Sequence, residues 1–318
     1  MKWPNLFGRR HSNGQAPTCT EDFLLVTWDS CRFDAYQKAR TPILDQFGPA
    51  HRAWAMATYT LPAHVALFHG FLPHAFEATP FYNRYYQQLW RISHRKTNTQ
   101  PLVSFPPGTK NLADGFANMG YYTVGTAAMS MFRHAPMLRR GFDDFTVTKE
   151  QEARQQNQII IKAVRSNAAS KPFFAFINYG ETHSPFHHED MPGFDPQAEE
   201  HFSYSRLHNQ QGVTTDNWTF NQTAFDKQVS CAEFLDARMG DLLAFLKERG
   251  KPATVVMCAD HGECFGENGL YGHAFYHEKV MEVPLLIFRV NAPPHPMPII
   301  DNAAALQQSS TPAVAATT

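Results

Sequence analysis

Short apolar runs and helical patterns alternate along most of the chain. "FLLVTW" (23–28), "RAWAMA" (52–57), "YYTVGTA" (121–127), "PFFAFINYG" (172–180), "ATVVMCAD" (253–260) and "VPLLIF" (283–288) are almost continuously hydrophobic, the pattern of strands buried on both faces. Between them, "LPAHVALFHG" (61–70) predicts a short helix closed by Gly70, and "NLADGFANMG" (111–120) a helix with a glycine stop. Residues 223–250 carry apolar side chains at helical spacing up to Gly250. Strand–helix alternation with fully apolar strands predicts an α/β fold whose mostly parallel sheet is covered by helices on both faces.

The flanks differ from this body. Residues 1–20 are polar and broken by Pro4 and Pro17, and read as a flexible lead-in. Residues 291–318 are rich in Pro, Ala, Ser and Thr, with little to bury, and read as a low-complexity tail. One folded domain is expected over 21–290.

Composition narrows the function classes. A formal net charge of -1 gives no basic footprint for nucleic acid or an anionic membrane. No window reaches the roughly 18–20 apolar residues of a membrane span, and the N-terminus has no apolar signal core. The five cysteines (Cys19, Cys31, Cys231, Cys258, Cys264) are odd in number, scattered and without a CxxC pair, so a reducing, cytoplasmic compartment is expected.

The polar residues of interest follow strands, where ligands bind in parallel α/β sheets. Asp29 follows "FLLVTW", and Asp260 with His261 follows "ATVVMCA". An aspartate after a strand is commonly a turn former. Adjacent Asp260 and His261 reach one cation only if the backbone leaves the strand there, which Gly262 permits. Two carboxylates and one imidazole suit Mn²⁺ or Zn²⁺, with Mg²⁺ and Ca²⁺ as alternatives. Thr60 stands where a helix begins, with Pro62 in its first turn. It reads either as a simple N-cap or as a hydroxyl facing both a metal and the positive end of a helix. "NYGETHSPFHH" (178–188) clusters Glu181, His183, His187 and His188 after another core strand, with His183 nearest the strand end.

In this order, "LLVTWDSCRFDAY", "TYTLPAHVALFHGFLP", "NYGETHSPF", "DKQVSCAEFLDARMGDLLAFLKERG" and "CADHGECFGENGLYGH…EVPLLIF" resemble the alkaline phosphatase/sulfatase superfamily, in its sulfatase-like hydrolase and transferase branch. The resemblance implies an alkaline-phosphatase-like fold with one divalent metal ion, Mn²⁺ foremost, held by Asp29, Thr60, Asp260 and His261. It implies Thr60 as nucleophile, and His183 as substrate-binding or proton-donating. His273 falls where relatives place a Lys or His beside the leaving group. Glu181, His183, His187, His273 and His277 leave a second metal open. Cys31 and Cys264 read as packing residues, Arg32 and Asp34 as a supporting ion pair.

The sequence departs from sulfatases in three places. Their formylglycine pattern C-x-P-x-R is "TLPAH" here, with Thr60 for the Cys and His64 for the Arg; threonine cannot become the aldehyde. Thr126 and Ala128 stand in place of a Lys–x–His pair. The usual C-terminal subdomain after "VPLLIF" is expected to be missing, so that a partner subunit or second copy could supply a substrate wall. A threonine nucleophile implies a hydrolase of phosphate or phosphonate esters acting on a small anionic ester. The alternatives are a phospho-group transferase on the same site and a degenerate member that binds an anion or partner without turnover.

Overall fold

The computed structural model describes residues 20–70, 91–92, 103–104, 111–191 and 220–294. The lead-in up to residue 19 and the tail beyond 294 lie outside the described residues. The strands in chain order are β1 (Asp22–Trp28), β2 (His51–Trp54), β3 (Arg91–Ile92), β4 (Val103–Ser104), β5 (Tyr122–Ala127), β6 (Asp144–Val147), β7 (Phe173–Tyr179), β8 (Ala253–Ala259), β9 (Cys264–Phe265), β10 (Tyr271–Gly272) and β11 (Glu282–Val290). The helices are α1 (Phe33–Lys38), α2 (Thr60–His69), α3 (Leu112–Asn118), α4 (Met131–His134), α5 (Ala153–Asn167), α6 (Gln222–Arg249) and α7 (Glu278–Met281).

Among the described residues the main sheet has seven strands in the order β2-β11-β8-β1-β7-β5-β6. From β8 to β6 every pairing is parallel, while β11 runs antiparallel to both β8 and β2. Two apolar clusters explain why the central strands read as continuous hydrophobic runs. Leu24, Val26 and Trp28 of β1 and Phe173, Ala175, Ile177 and Tyr179 of β7 pack with α5 and α6. Their alternating neighbours Leu25, Phe174 and Phe176 pack with α2 and α3 on the opposite face. Both faces are core, as the pattern predicts.

Three differences from the sequence reading have physical causes. The run 52–57 leaves the sheet after Trp54, because the Ala55 amide turns to the Met281 carbonyl at 2.7 Å and the chain heads for Thr60. β6 is only four residues long, too short for its alternation to register. α5 was not anticipated: its N-cap Glu152 makes no side-chain capping bond, and the Ala153 amide is taken instead by Glu181, far away in sequence, at 2.8 Å. α6 is preceded by its N-cap Asn221, whose side chain accepts the Ala224 amide, and both α2 and α6 stop at glycines with φ of 70°.

Candidate active site

The carboxyl ends of β1, β7 and β8 and the start of α2 converge on one buried cluster. Metal-ligating atoms of Asp29, Asp260 and His261 all lie within 4.8 Å of one another. Thr60 Oγ1 sits 3.3 Å from Asp29 Oδ1 and 3.2 Å from His261 Nε2. Thr60 is not an N-cap. That place belongs to Tyr59, and Thr60 is the first helical residue, its hydroxyl turned to the cluster. Ser30 holds the left-handed region at φ 61°, a conformation that costs a non-glycine residue about 1 kcal/mol. In return its amide reaches Asp260 Oδ1 at 3.1 Å and its hydroxyl reaches Asp29 Oδ1 at 3.3 Å.

Hydrogen bonding fixes which atoms face inward. His261 Nδ1 lies 2.9 Å from the Gly262 carbonyl, which can only accept, so Nδ1 carries the proton and Nε2 presents a lone pair. Asp260 Oδ1 accepts the amides of Ser30 and His261, whereas Oδ2 is buried with no hydrogen-bond partner, 3.5 Å from His261 Nε2. Leaving a buried charged acceptor unmatched costs at least about 1–3 kcal/mol. Burial, then the neighbouring Asp260 charge, pushes Asp29 up to about 7. Burial, only partly offset by the amides, pushes Asp260 up to about 6, and burial holds His261 well below the usual histidine range. An unmatched oxygen, two acidic tips and an imidazole lone pair form a donor set that fits a divalent cation.

Gly262 is required here by close approach. A Cβ on it would stand 2.1 Å from the Lys279 carbonyl oxygen, and its amide donates to Val280 at 2.7 Å. The Asp260–His261 corner is therefore pressed directly onto the α7 backbone.

His64, one helical turn after Thr60, is fully buried beneath the cluster. Its Nδ1 donates to the Thr60 carbonyl at 2.8 Å, and its Nε2 accepts from Thr27 Oγ1 at 3.0 Å. Asn178 Nδ2 in turn donates to Thr27 Oγ1 at 3.2 Å and to Asp29 Oδ2 at 3.1 Å. Burial lowers the His64 pKa, in keeping with this neutral arrangement. The imidazole steadies the first turn of α2.

A second wall is made of histidines. The rings of His261 and His273 are 4.5 Å apart between centroids, and those of His273 and His183 are 5.5 Å apart. His183 Nδ1 donates to the Ser184 carbonyl at 2.8 Å. His273 Nδ1 lies 3.1 Å from both carboxylate oxygens of the buried Glu263. Burial pulls the His273 pKa down, but the Glu263 charge and hydrogen bond outweigh it and raise it to about 9.

Other sequence candidates have structural work. Glu181 caps α5, and His188 stacks on Phe234 and bonds Ser230 Oγ. His277 accepts the Lys279 amide at the start of α7. Glu181, His183, His187, His273 and His277 form no metal-sized cluster among the described residues. Arg32 is held by Asp34 and Glu267 over the rings of Phe225 and Phe265, the supporting role expected of it. Cys31 and Cys264 are buried and their thiols raised by burial, which makes them packing residues.

Ser30, Thr27, Asn178, Gln228 and Glu263 were missed. Gln228 of α6 donates to the carbonyls of Ser30 and Thr182. Thr27 and Asn178 left a trace: polar residues inside apolar strands, on the α2 face and opposite each other in register. Gln228 left none, since a glutamine in a long helix reads as surface.

The Sulfatase family model matches residues 21–314. No curated protein sequence matches the chain. Among solved structures, the periplasmic domain of phosphoethanolamine transferase EptC from Campylobacter jejuni aligns at TM-score 0.53 and 15% identity, over 85% of this chain and 80% of that one. The phosphonate monoester hydrolase of Agrobacterium radiobacter aligns at TM-score 0.54 and 17% identity, over 84% and 68%. The corresponding Escherichia coli EptC domain, in complex with Zn, aligns at TM-score 0.53 and 12% identity, over 84% and 72%. These likenesses establish the alkaline-phosphatase-like fold. Two of the neighbours are periplasmic domains, so the likeness lends a cytoplasmic location no support. Among the described residues no helix is long and apolar enough to cross a membrane.

Proposed function

Because the chain belongs to the Sulfatase family, we propose that it is a metal-dependent hydrolase of phosphate or phosphonate esters with Thr60 as its nucleophile. The observation that carries this reading is the Thr60 hydroxyl, within 3.3 Å of both Asp29 and His261 at the start of a ten-residue helix. A divalent cation held by Asp29, Asp260, His261 and Thr60, with Mn²⁺ favoured over Zn²⁺, Mg²⁺ or Ca²⁺, would supply Lewis-acid stabilisation of the alkoxide and of the ester oxygens.

The chain's own groups account for the proton transfers. The Thr60 proton leaves along its hydrogen bond to Asp29 as Oγ1 bonds to phosphorus. The bond from phosphorus to the leaving alcohol breaks, and His273, kept protonated by Glu263, gives that alcohol its proton from Nε2. Water then attacks the phospho-threonine and its proton goes to His273, while Thr60 recovers its own from Asp29. His183 and the N–H groups at the start of α2 bind the equatorial oxygens. The substrate class is a small anionic ester. Among the described residues Cys31, Cys231, Cys258 and Cys264 are free, which supports a reducing compartment, and we place the protein in the cytoplasm. Transfer to an acceptor alcohol would share the first half-reaction, and a water-only product profile in the presence of alcohols counts against it. The intact cluster argues against a degenerate, non-catalytic member.

Aryl phosphates, phosphodiesters, phosphonates and sulfates supplied with Mn²⁺ or Zn²⁺ test the reading. Thr60→Ala should lose at least about 1,000-fold in turnover while binding metal nearly as well as the wild type. Full activity in Thr60→Ala would exclude the covalent route.

A further inference from the structure

We propose that Gln228 is a positioning residue that sets the cation site and His183 in register with each other. It sits fully buried on α6 and hydrogen-bonds to neither a carboxylate tip nor a histidine of the site. Its side-chain amide has two N–H donors and uses both, one on the Ser30 carbonyl at 2.8 Å and one on the Thr182 carbonyl at 2.9 Å. Its oxygen accepts the Arg32 amide at 3.4 Å.

Each of those carbonyls belongs to a residue with a second tie to the site. Ser30, held in the left-handed region, points its amide at Asp260 and its hydroxyl at Asp29. Thr182 donates its hydroxyl to the Asp29 carbonyl at 2.7 Å and directly precedes His183. One planar amide thus clamps the turn after β1, which carries Asp29 and reaches Asp260 through the Ser30 amide, to the turn after β7, which carries His183. Without the clamp the Ser30 carbonyl is no longer held, and among the described residues no other hydrogen bond fixes it.

A control lies on the same helix. Asp236, eight residues and about 12 Å further along α6, is equally buried and clamps the Ile43 and Leu44 amides at 3.0 and 2.9 Å, away from the site. Both side chains are buried clamps on remote backbone, and of the two only Gln228 holds site turns.

The inference rests on the reading of Asp29, Asp260 and His261 as a cation site. Its test is Gln228→Glu, which keeps shape and acceptor but faces both carbonyls with an oxygen. Calorimetry should show Mn²⁺ affinity lowered by roughly 10–100-fold, the range for groups that orient metal ligands, with kcat lowered similarly and KM within about twofold. Asp236→Asn should lower the unfolding temperature and leave Mn²⁺ affinity and kcat unchanged. Gln228→Asn, if Gln228→Glu does not fold, should show the same loss to a smaller extent. A lower unfolding temperature with wild-type Mn²⁺ affinity and kcat would overturn the proposal, as would a wild type that binds neither Mn²⁺ nor Zn²⁺. If the wild type binds Mn²⁺ but turns over no ester, the hydrolase reading fails while the affinity ratio still judges Gln228.

Discussion

β1 carries an aspartate at each end of its span, Asp22 at its start and Asp29 just past its last residue, and both are fully buried. Their surroundings are opposite. Asp22 meets the Arg249 guanidinium, Nε to Oδ2 at 2.6 Å, and takes the Phe173 amide at 3.1 Å. Asp29 receives only neutral donors, from Ser30, Thr60 and Asn178, and the charge that acts on it most, Asp260, repels it. A buried acid with its countercharge built into the chain serves the fold. One left without it calls for a cation from outside, and the second acid beside it doubles that demand.

The largest expected contrast is in metal binding. Asp29→Asn should lose more than about 100-fold in Mn²⁺ affinity, beyond the effect typical of a group that only orients a ligand. Wild-type protein at 100 times its dissociation constant should gain about 2.7 kcal/mol of stability from Mn²⁺, and a chelator should reverse this. The pH dependence of the metal-free protein has a definite sign. Asp29 is raised from 3.8 to about 7 on folding, so between those values the folded state holds the extra proton and stability falls as pH rises. Thermal unfolding from pH 4 to 7 in chelator should show that decline in the wild type and less of it in Asp29→Asn.

At the other end of β1, Arg249→Ala removes the buried countercharge of Asp22. It should cost about 3–5 kcal/mol in urea unfolding, with Mn²⁺ affinity within twofold of wild type. The smallest effect concerns the histidine wall. His273 of the metal-free protein should titrate near 9 by NMR, and Glu263→Gln should bring that midpoint down by removing the charge that raises it. The alkaline limb of kcat, where His273 loses its acid proton, should move in the same direction.

The same contrast explains what the sequence made legible. Apolar runs that end in Asp29 and Asp260–His261 expose both strand and site, since nothing in core packing calls for charge at those tips. Thr60 was ambiguous locally, because a hydroxyl before "LPAHV" serves equally as a cap; its role depends on how α2 lands against β1 and β8. His183 and His273 come from separate motifs that the fold brings beside His261, while Glu263, whose charge raises the His273 pKa, was overlooked within "DHGE". α5 and Gln228 stayed hidden for one shared reason. The start of α5 is capped by Glu181, and Gln228 binds carbonyls of two remote turns, so the partner in each case exists only after folding.

α7, four residues long, touches both halves of the candidate site through its own backbone. Its Lys279 and Val280 carbonyls receive the Glu263 and Gly262 amides beside His261, and Met281 receives Ala55, from which five residues lead to Thr60. The gap between the hydroxyl and the imidazole is thereby gauged in part by main-chain bonds to α7, which side-chain substitutions in that turn leave in place. Lengthening or shortening that turn by a single residue would change the gauge itself, and with it the size of ion that would suit the proposed cation site.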